Sequence, residues 1–355
     1  MIQVAEGKPH GAPELVKQDV GRSLPMGFTR NGSYFYGLQT NMQDVYVATL
    51  DPVTGQVLTP PTPISQRFVG SNTSPDWSPD GRYLAYISQR RPTPGDQGSG
   101  VLIIRSLETG DERILSPKLN SLQRLRWSPD GRYLIAPGRD NKGRQGLYRI
   151  DTQTGDVTPV ALSGPGTYAY FAVWAPDSKA VFYWRTESAS KSSVIIARNL
   201  ETGEEKDLYR TTVGTTRRNL ALSPDGQLLA FLRTDPPTST EAVMVIPATG
   251  GEPKELARWK SPDFTSPASG LVWTPDGRHV LFTKPKQEAG KTEQINELWR
   301  VSVEGGEPER SGLAMEQLSF LRFHPDGRRI AFRSGRFSAE VWVMENFLPT
   351  LKAAK

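Results

Sequence analysis

Residues Ser74–Ser88 read SPDWSPDGRYLAYIS, with a tryptophan, two carboxylates and a tight Pro-Asp-Gly turn. The segment LRWSPDGRYLIAPG repeats the pattern further on, so the first question is whether it marks a reactive site or a building unit. With the turn Asp as marker, copies fall at Asp80, Asp130, Asp177, Asp225, Asp276 and Asp326, at intervals of 50, 47, 48, 51 and 50. A degenerate copy, FTRNGSYFYG, puts Asn31 in the same place 49 residues before the first. A fixed period of this size is the signature of a repeat architecture. A pattern present seven times is not one active site; it is the scaffold.

Each module reads as four short strands. LQRLRWSPD is a strand closed by Pro-Asp-Gly, where Pro presets φ and Gly takes the left-handed position. RYLIAPG leads out as the second strand, GLYRIDTQ is the third, TGD turns again and VTPV is the fourth. No apolar period of 3.6 residues persists beyond a turn or two. Short strands with glycine-rich turns at this spacing predict an all-β chain, a seven-bladed β-propeller of four-stranded antiparallel blades. The aromatic residue before each turn (Trp77, Trp127, Trp174, Trp273, Phe323) is expected between neighbouring blades, where a large side chain fills the wedge between twisted sheets. After Asp326 too few residues remain for a fourth strand, and PELVKQDV (Pro13 to Val20) resembles the outer strands. That segment is therefore expected to close the last blade from the N-terminal side. The whole of 1–355 is expected to be a single domain, with 1–26 as arm and closing strand, modules over 27–349 and a tail at 350–355.

Composition bounds the rest. The chain has 355 residues, 36% apolar content and 29 prolines, which fits a turn-rich all-β protein. No run of 18 apolar residues predicts a membrane span, and the N-terminal stretch has no apolar core of a signal peptide. Zero cysteines exclude disulfides and thiolate metal sites. The formal charge of +5 permits attraction to an acidic partner without naming one.

SPDWSPDGRYLAYIS, LYRIDTQTGDVTPV and ELWRVSVEGGEPE resemble the propeller repeats of the TolB-like family, and the resemblance covers all seven modules. It implies a platform that binds proteins, as in TolB-type propellers, sensor parts of bacterial kinases, or the substrate-gating part of prolyl oligopeptidase-type peptidases. It also implies an extracytoplasmic or periplasmic setting within a larger bacterial protein or assembly. The chain itself is expected to be a monomer. Seven modules, and no small α/β domain before them, depart from TolB itself.

The chemistry-bearing residues point away from catalysis. No Gly-x-Ser-x-Gly occurs, so the nucleophile elbow of an α/β-hydrolase is absent. His10, His279 and His324 lie in different modules, without the local pairs of a metal site, and read as surface turn residues. Each turn Asp is expected to accept backbone N–H bonds of its own turn rather than hold a structural calcium, so no cofactor is expected. The alternative is a uronate polysaccharide lyase, with Tyr168 or Tyr170 as base and Arg139 or Arg185 neutralising a carboxylate. The loops after the second strands each open with a cation: Arg90, Arg139, Arg185, Arg233, Lys284 and Arg336. The loops entering inner strands add Arg124, Tyr168, Tyr170 and Arg218. Together these predict a positive upper-face ring that takes a protein or peptide, in particular an acidic one. No interleaved basic–aromatic run points to nucleic acid.

Overall fold

The computed structural model describes residues 3–5, 8–10, 22–30, 33–64, 70–89, 100–212, 216–260, 270–286 and 295–345. The expected closing segment at 13–20 lies outside them. The chain divides into two compact units, Gln43–Gly335 and the pair Met1–Met42 with Arg336–Lys355. Among the described residues every regular element is a strand, and no helix is long and apolar enough to cross a membrane.

Within Gln43–Gly335 the described strands form six four-stranded antiparallel blades, not seven. Blade 1 runs Asn72–Trp77, Tyr83–Ser88, Val101–Ser106, Glu112–Leu115. Blade 2 has a broken inner strand (Leu119–Asn120 and Arg126–Trp127), then Tyr133–Asp140, Gln145–Asp151 and Val157–Leu162. Blades 3, 4 and 5 begin at Thr167, Thr216 and Leu271. Blade 6 takes its inner strands, Ser319–Phe323 and 329–335, from the end of the unit and its outer strands, 43–50 and Val57–Pro63, from the start. Inner strands touch in succession from blade 1 to blade 6, and blade 6 touches blade 1 again.

The degenerate first module accounts for the difference. Residues 37–44, GLQTNMQD, stand where the four-strand module would put the loop between second and third strands, but Tyr34–Leu50 is one 17-residue strand. The early half of that strand pairs with Arg22–Phe28 in the smaller unit, and 43–50 joins blade 6. Closure therefore comes from the N-terminal side, as expected, but with two strands from later in the chain. The first copy lacks Pro-Asp-Gly yet still forms a hairpin, Arg22–Phe28 on the early half of Tyr34–Leu50, and this hairpin falls in the smaller unit.

The repeated turn builds itself. Ser78 Oγ donates to Asp80 Oδ1 at 2.6 Å and accepts from the Tyr83 amide, while Asp80 Oδ1 accepts from the Arg82 amide. The same set recurs at Ser128/Asp130 and Ser223/Asp225, and at Thr274/Asp276. The aromatic positions sit between blades. The indole N–H of Trp77 donates to the Arg322 carbonyl, that of Trp174 to Arg126 and that of Trp273 to Ala221, each on the preceding blade.

His324 corrects its expected surface place: it is buried at the junction of blades 6 and 1. Its ring meets Trp77 edge-on at 4.9 Å, and Nε2 lies 2.8 Å from the Gly81 carbonyl. Gly81 has φ +70, and a Cβ there would sit 2.6 Å from His324 Nε2. Gly143 has a similar φ of +76 with nothing within 4 Å of its added Cβ. Gly143→Ala is therefore expected to cost only the left-handed strain, about 1–2 kcal/mol. Gly81→Ala should lose a further 1–3 kcal/mol or so through overpacking. Equal urea midpoints for the two variants would contradict the packing of His324 on this turn.

Candidate functional site

Six residues before the turn Asp, the inner strand of five blades is forced into left-handed backbone. Ser74, Arg124, Phe171, Asn219 and Phe320 have φ of 56, 52, 53, 82 and 56°. Strand register shifts at this level in blades 1, 3, 4 and 6, the mark of a β-bulge. A bulge bends the strand and re-aims a side chain, and each such non-glycine residue costs about 1–3 kcal/mol. The side chains it redirects meet. Ser74 Oγ accepts from the Arg124 amide at 3.0 Å. The Arg124 guanidinium carbon lies 4.4 Å from the Phe171 ring centroid and 5.7 Å from that of Phe320. Arg333, on the second strand of blade 6, lies 4.8 Å from the same Phe320 ring. Such contacts between cations and aromatic faces are attractive through the ring quadrupole.

Beside Arg124, between blades 2 and 3, a cavity of about 200 Å³ is lined by Arg124, Arg139, Tyr168 and Tyr170, with Ser121 and Gln145. Four of the residues singled out in the sequence thus share one recess. Arg139 donates to the Gly143 carbonyl and to Gln145 Oε1, at 3.2 and 3.4 Å. The Tyr170 hydroxyl bonds Thr186 Oγ1 at 2.8 Å, and Tyr168 is 47% exposed. The recess therefore offers two cations and two aromatic side chains to one ligand.

The other expected cations divide differently. Arg185 is held by Glu205 at 2.7 Å and Glu187 at 3.2 Å, and Arg233 by Glu255 at 3.3 Å. Lys284 lies 3.4 Å over the Trp299 ring, and burial lowers its pKa. Glu187 is itself held down to about 2, first by a hydrogen bond from Arg210. These three cations are committed within their own blades and do not add free charge to a common ring. The reason is parity. Arg185, Arg233 and Lys284 stand eight residues after their turn Asp and Arg139 nine, and successive strand residues point to opposite faces of the sheet. Arg336 belongs to the smaller unit. Arg90 and the Arg218 side chain lie outside the described residues. Sequence reading missed Arg333, Gln43 and the bulge positions other than Arg124. A polar or aromatic residue six before five of the six turn Asp residues is the signal that would have found the bulge positions.

Among the described residues, no three His, Asp or Glu side chains are grouped to hold a metal ion. A larger cavity, about 820 Å³, is lined by the turns of blades 1 and 2, including Asp80, Arg82, Asp130 and Arg132. It is built from the repeated motif and reflects the scaffold.

Comparison with known proteins agrees with this architecture. The chain is 31% identical over 160 residues to the "Uncharacterized peptidase YuxL" of Bacillus subtilis, covering 45% of this chain and 21% of that protein. It is 26% identical over 181 residues to dipeptidyl-peptidase 5 of Porphyromonas gingivalis, covering 48% and 25%. The chain thus spans a fifth to a quarter of the length of these curated relatives. Among solved structures, a putative TolB from Agrobacterium tumefaciens superposes with a TM-score of 0.59 at 19% identity, covering 83% of this chain and 99% of that one. An oligogalacturonate lyase from Vibrio parahaemolyticus gives 0.50 at 14% identity, covering 86% and 75%. At these identities the structural likenesses show the fold alone. A family profile described as the TolB beta propeller domain matches residues 44–257, more than half of the chain. With its turn motif repeated along that span, the chain belongs to the TolB beta propeller domain family.

Proposed function

We propose that this propeller is a recognition or sensor domain that binds a protein or peptide segment without chemistry of its own. The observation that carries this reading is the convergence of Arg124, Arg139, Tyr168 and Tyr170 on one recess beside the inner strands. Arg and Tyr dominate binding hot spots, because each brings a large contact surface and a directional polar group. The two cations favour an acidic partner through charge-assisted hydrogen bonds.

Arg139→Ser with Tyr168→Ser is the test. Stability should change by no more than about 0.5 kcal/mol, as is usual for exposed positions away from special features. Affinity for acidic peptides selected on the parent protein should fall by about tenfold, since a hot-spot side chain contributes upwards of 1 kcal/mol. Binding by the parent should weaken with salt, because exposed charges are screened over about 8 Å at physiological ionic strength. Arg185→Ser, at a cation already paired with Glu205, should leave affinity unchanged. Unaltered binding by the double variant sinks the recess as the contact surface. A rise at about 235 nm with uronan substrates would replace this reading with the lyase alternative.

The peptidase relatives favour a second arrangement, in which the same recess admits peptide substrates to a separate catalytic domain. Under it, this chain alone binds peptides and leaves them uncleaved, while adding the catalytic domain produces cleavage with the same acidic preference.

A further inference from the structure

We infer that the centre of the six-bladed unit is a carboxylate seat, formed by the Arg124 and Arg333 guanidinium groups over the ring of Phe320. This rests on the recognition reading and deepens it, by naming the chemical group of the ligand that enters the circle of inner strands.

Arg333 is the anchor. Its Nε donates to Ser319 Oγ at 2.9 Å and its Nη1 to Gln43 Oε1 at 3.0 Å. Both partners are neutral and buried, with 2% and 6% exposure, so they orient the guanidinium without neutralising it. Among the described residues, the charge acting on Arg333 is another cation, Arg124. Burial and then Arg124 lower its pKa to about 10, which still leaves it charged at neutral pH. Two cations from blades 2 and 6 thus rest on one aromatic ring. Like charges in a partly buried site repel, and an anion between them relieves the repulsion.

The geometry selects the anion. A guanidinium presents a planar fork that matches a carboxylate. The faces of Phe320 and Phe171 supply an apolar wall for the stem that carries it. The left-handed backbone at Arg124, Phe171 and Phe320 is the kind of local strain that persists at ligand clamps. The carboxylate has two sources in a peptide, its C-terminus or an acidic side chain, and the probes separate them.

The whole chain is titrated by ligand-observed NMR with N-acetyl-phenylalanine, N-acetyl-phenylalaninamide, N-acetyl-aspartyl amide and inorganic phosphate. At least one carboxylate should bind at least tenfold more tightly than the phenylalaninamide. Preference for N-acetyl-phenylalanine assigns the seat to a C-terminus, and preference for the aspartyl amide assigns it to a side chain. Arg333→Gln should remove that binding by tenfold or more. If this variant loses its native melting transition, the carboxylate-to-amide ratio on the parent protein decides alone. Equal binding of acid and amide, binding of phosphate alone, or a folded Arg333→Gln that binds the carboxylate as before overturns the proposal. Carboxylate binding that survives Arg139→Ser with Tyr168→Ser, in a protein that takes no acidic peptide, keeps the seat and removes the peptide reading.

Discussion

Replacing Asp76 with alanine is expected to destabilise the six-bladed unit by roughly 3–5 kcal/mol at pH 7, the usual loss when one partner of a buried ion pair is removed. Asp76 and Arg322 are both buried, on the inner strands of blades 1 and 6, with Arg322 Nε 3.1 Å from Asp76 Oδ1. The other carboxylate oxygen accepts from the Trp127 amide of blade 2. One side chain therefore ties three consecutive blades across the junction where the circle closes. Burial lowers the Arg322 pKa to about 10, so it stays charged at pH 7 and would face no counter-charge in the alanine variant. The Trp127 amide would lose its acceptor as well.

The pair also carries a pH signature. Burial raises the Asp76 pKa to about 6, against the opposing pull of Arg322 and the backbone amides. A folded-state value above the unfolded one means that the fold favours the protonated carboxyl. The contribution is full below about pH 4 and is lost as pH rises to about 6. At Asp80 burial is outweighed by hydrogen bonds from Ser78 and Arg82, which hold it down to about 2, so its contribution is lost only as pH falls below about 4. Denaturant midpoints between pH 4 and 7 should fall with rising pH for the parent and lose that slope in Asp76→Asn. Parallel profiles for the two proteins would remove the assignment to Asp76.

Deleting residues 1–63 should abolish the monomeric fold. The deletion removes the two outer strands of blade 6, where Val45, Ala48 and Leu50 are at most 1% exposed and Tyr46 stacks on Phe332 at 6.1 Å. It also removes the Leu50 amide that donates to the Arg328 carbonyl. What remains at 329–335 is an unpaired edge with an apolar face, a template for association with other chains. The truncated protein should elute as aggregate by size exclusion. A synthetic peptide of residues 43–64, added during refolding, should restore a monomeric fraction. A soluble monomer with the parent's melting temperature would show that blade 6 stands on its inner strands alone.

The turn motif made the all-β blade architecture legible because its chemistry is local. Ser78, Asp80, Gly81 and the Tyr83 amide complete each other's bonds within six residues, and any copy of the string folds the same way. The interblade place of Trp77, Trp174 and Trp273 was legible too, since a large aromatic residue at one repeated position packs against the preceding repeat. Arg124, Arg139, Tyr168 and Tyr170, which the loop reading put on one face, line one recess. The number of blades was not legible, because it depends on where the long strand Tyr34–Leu50 pairs, and no residue within the first module states its partner. Nor was the division of the loop cations. A shift of one residue between Arg139 and Arg185 turns the side chain to the other face of the sheet, so strand parity decided what proximity to a loop could not. Arg333 and Gln43 stand 290 residues apart and meet only because blade 6 is assembled from both ends of the unit. Local hydrogen bonding and period determined the blade from sequence; non-local strand pairing, which repeats cannot encode, decided the closure and the centre.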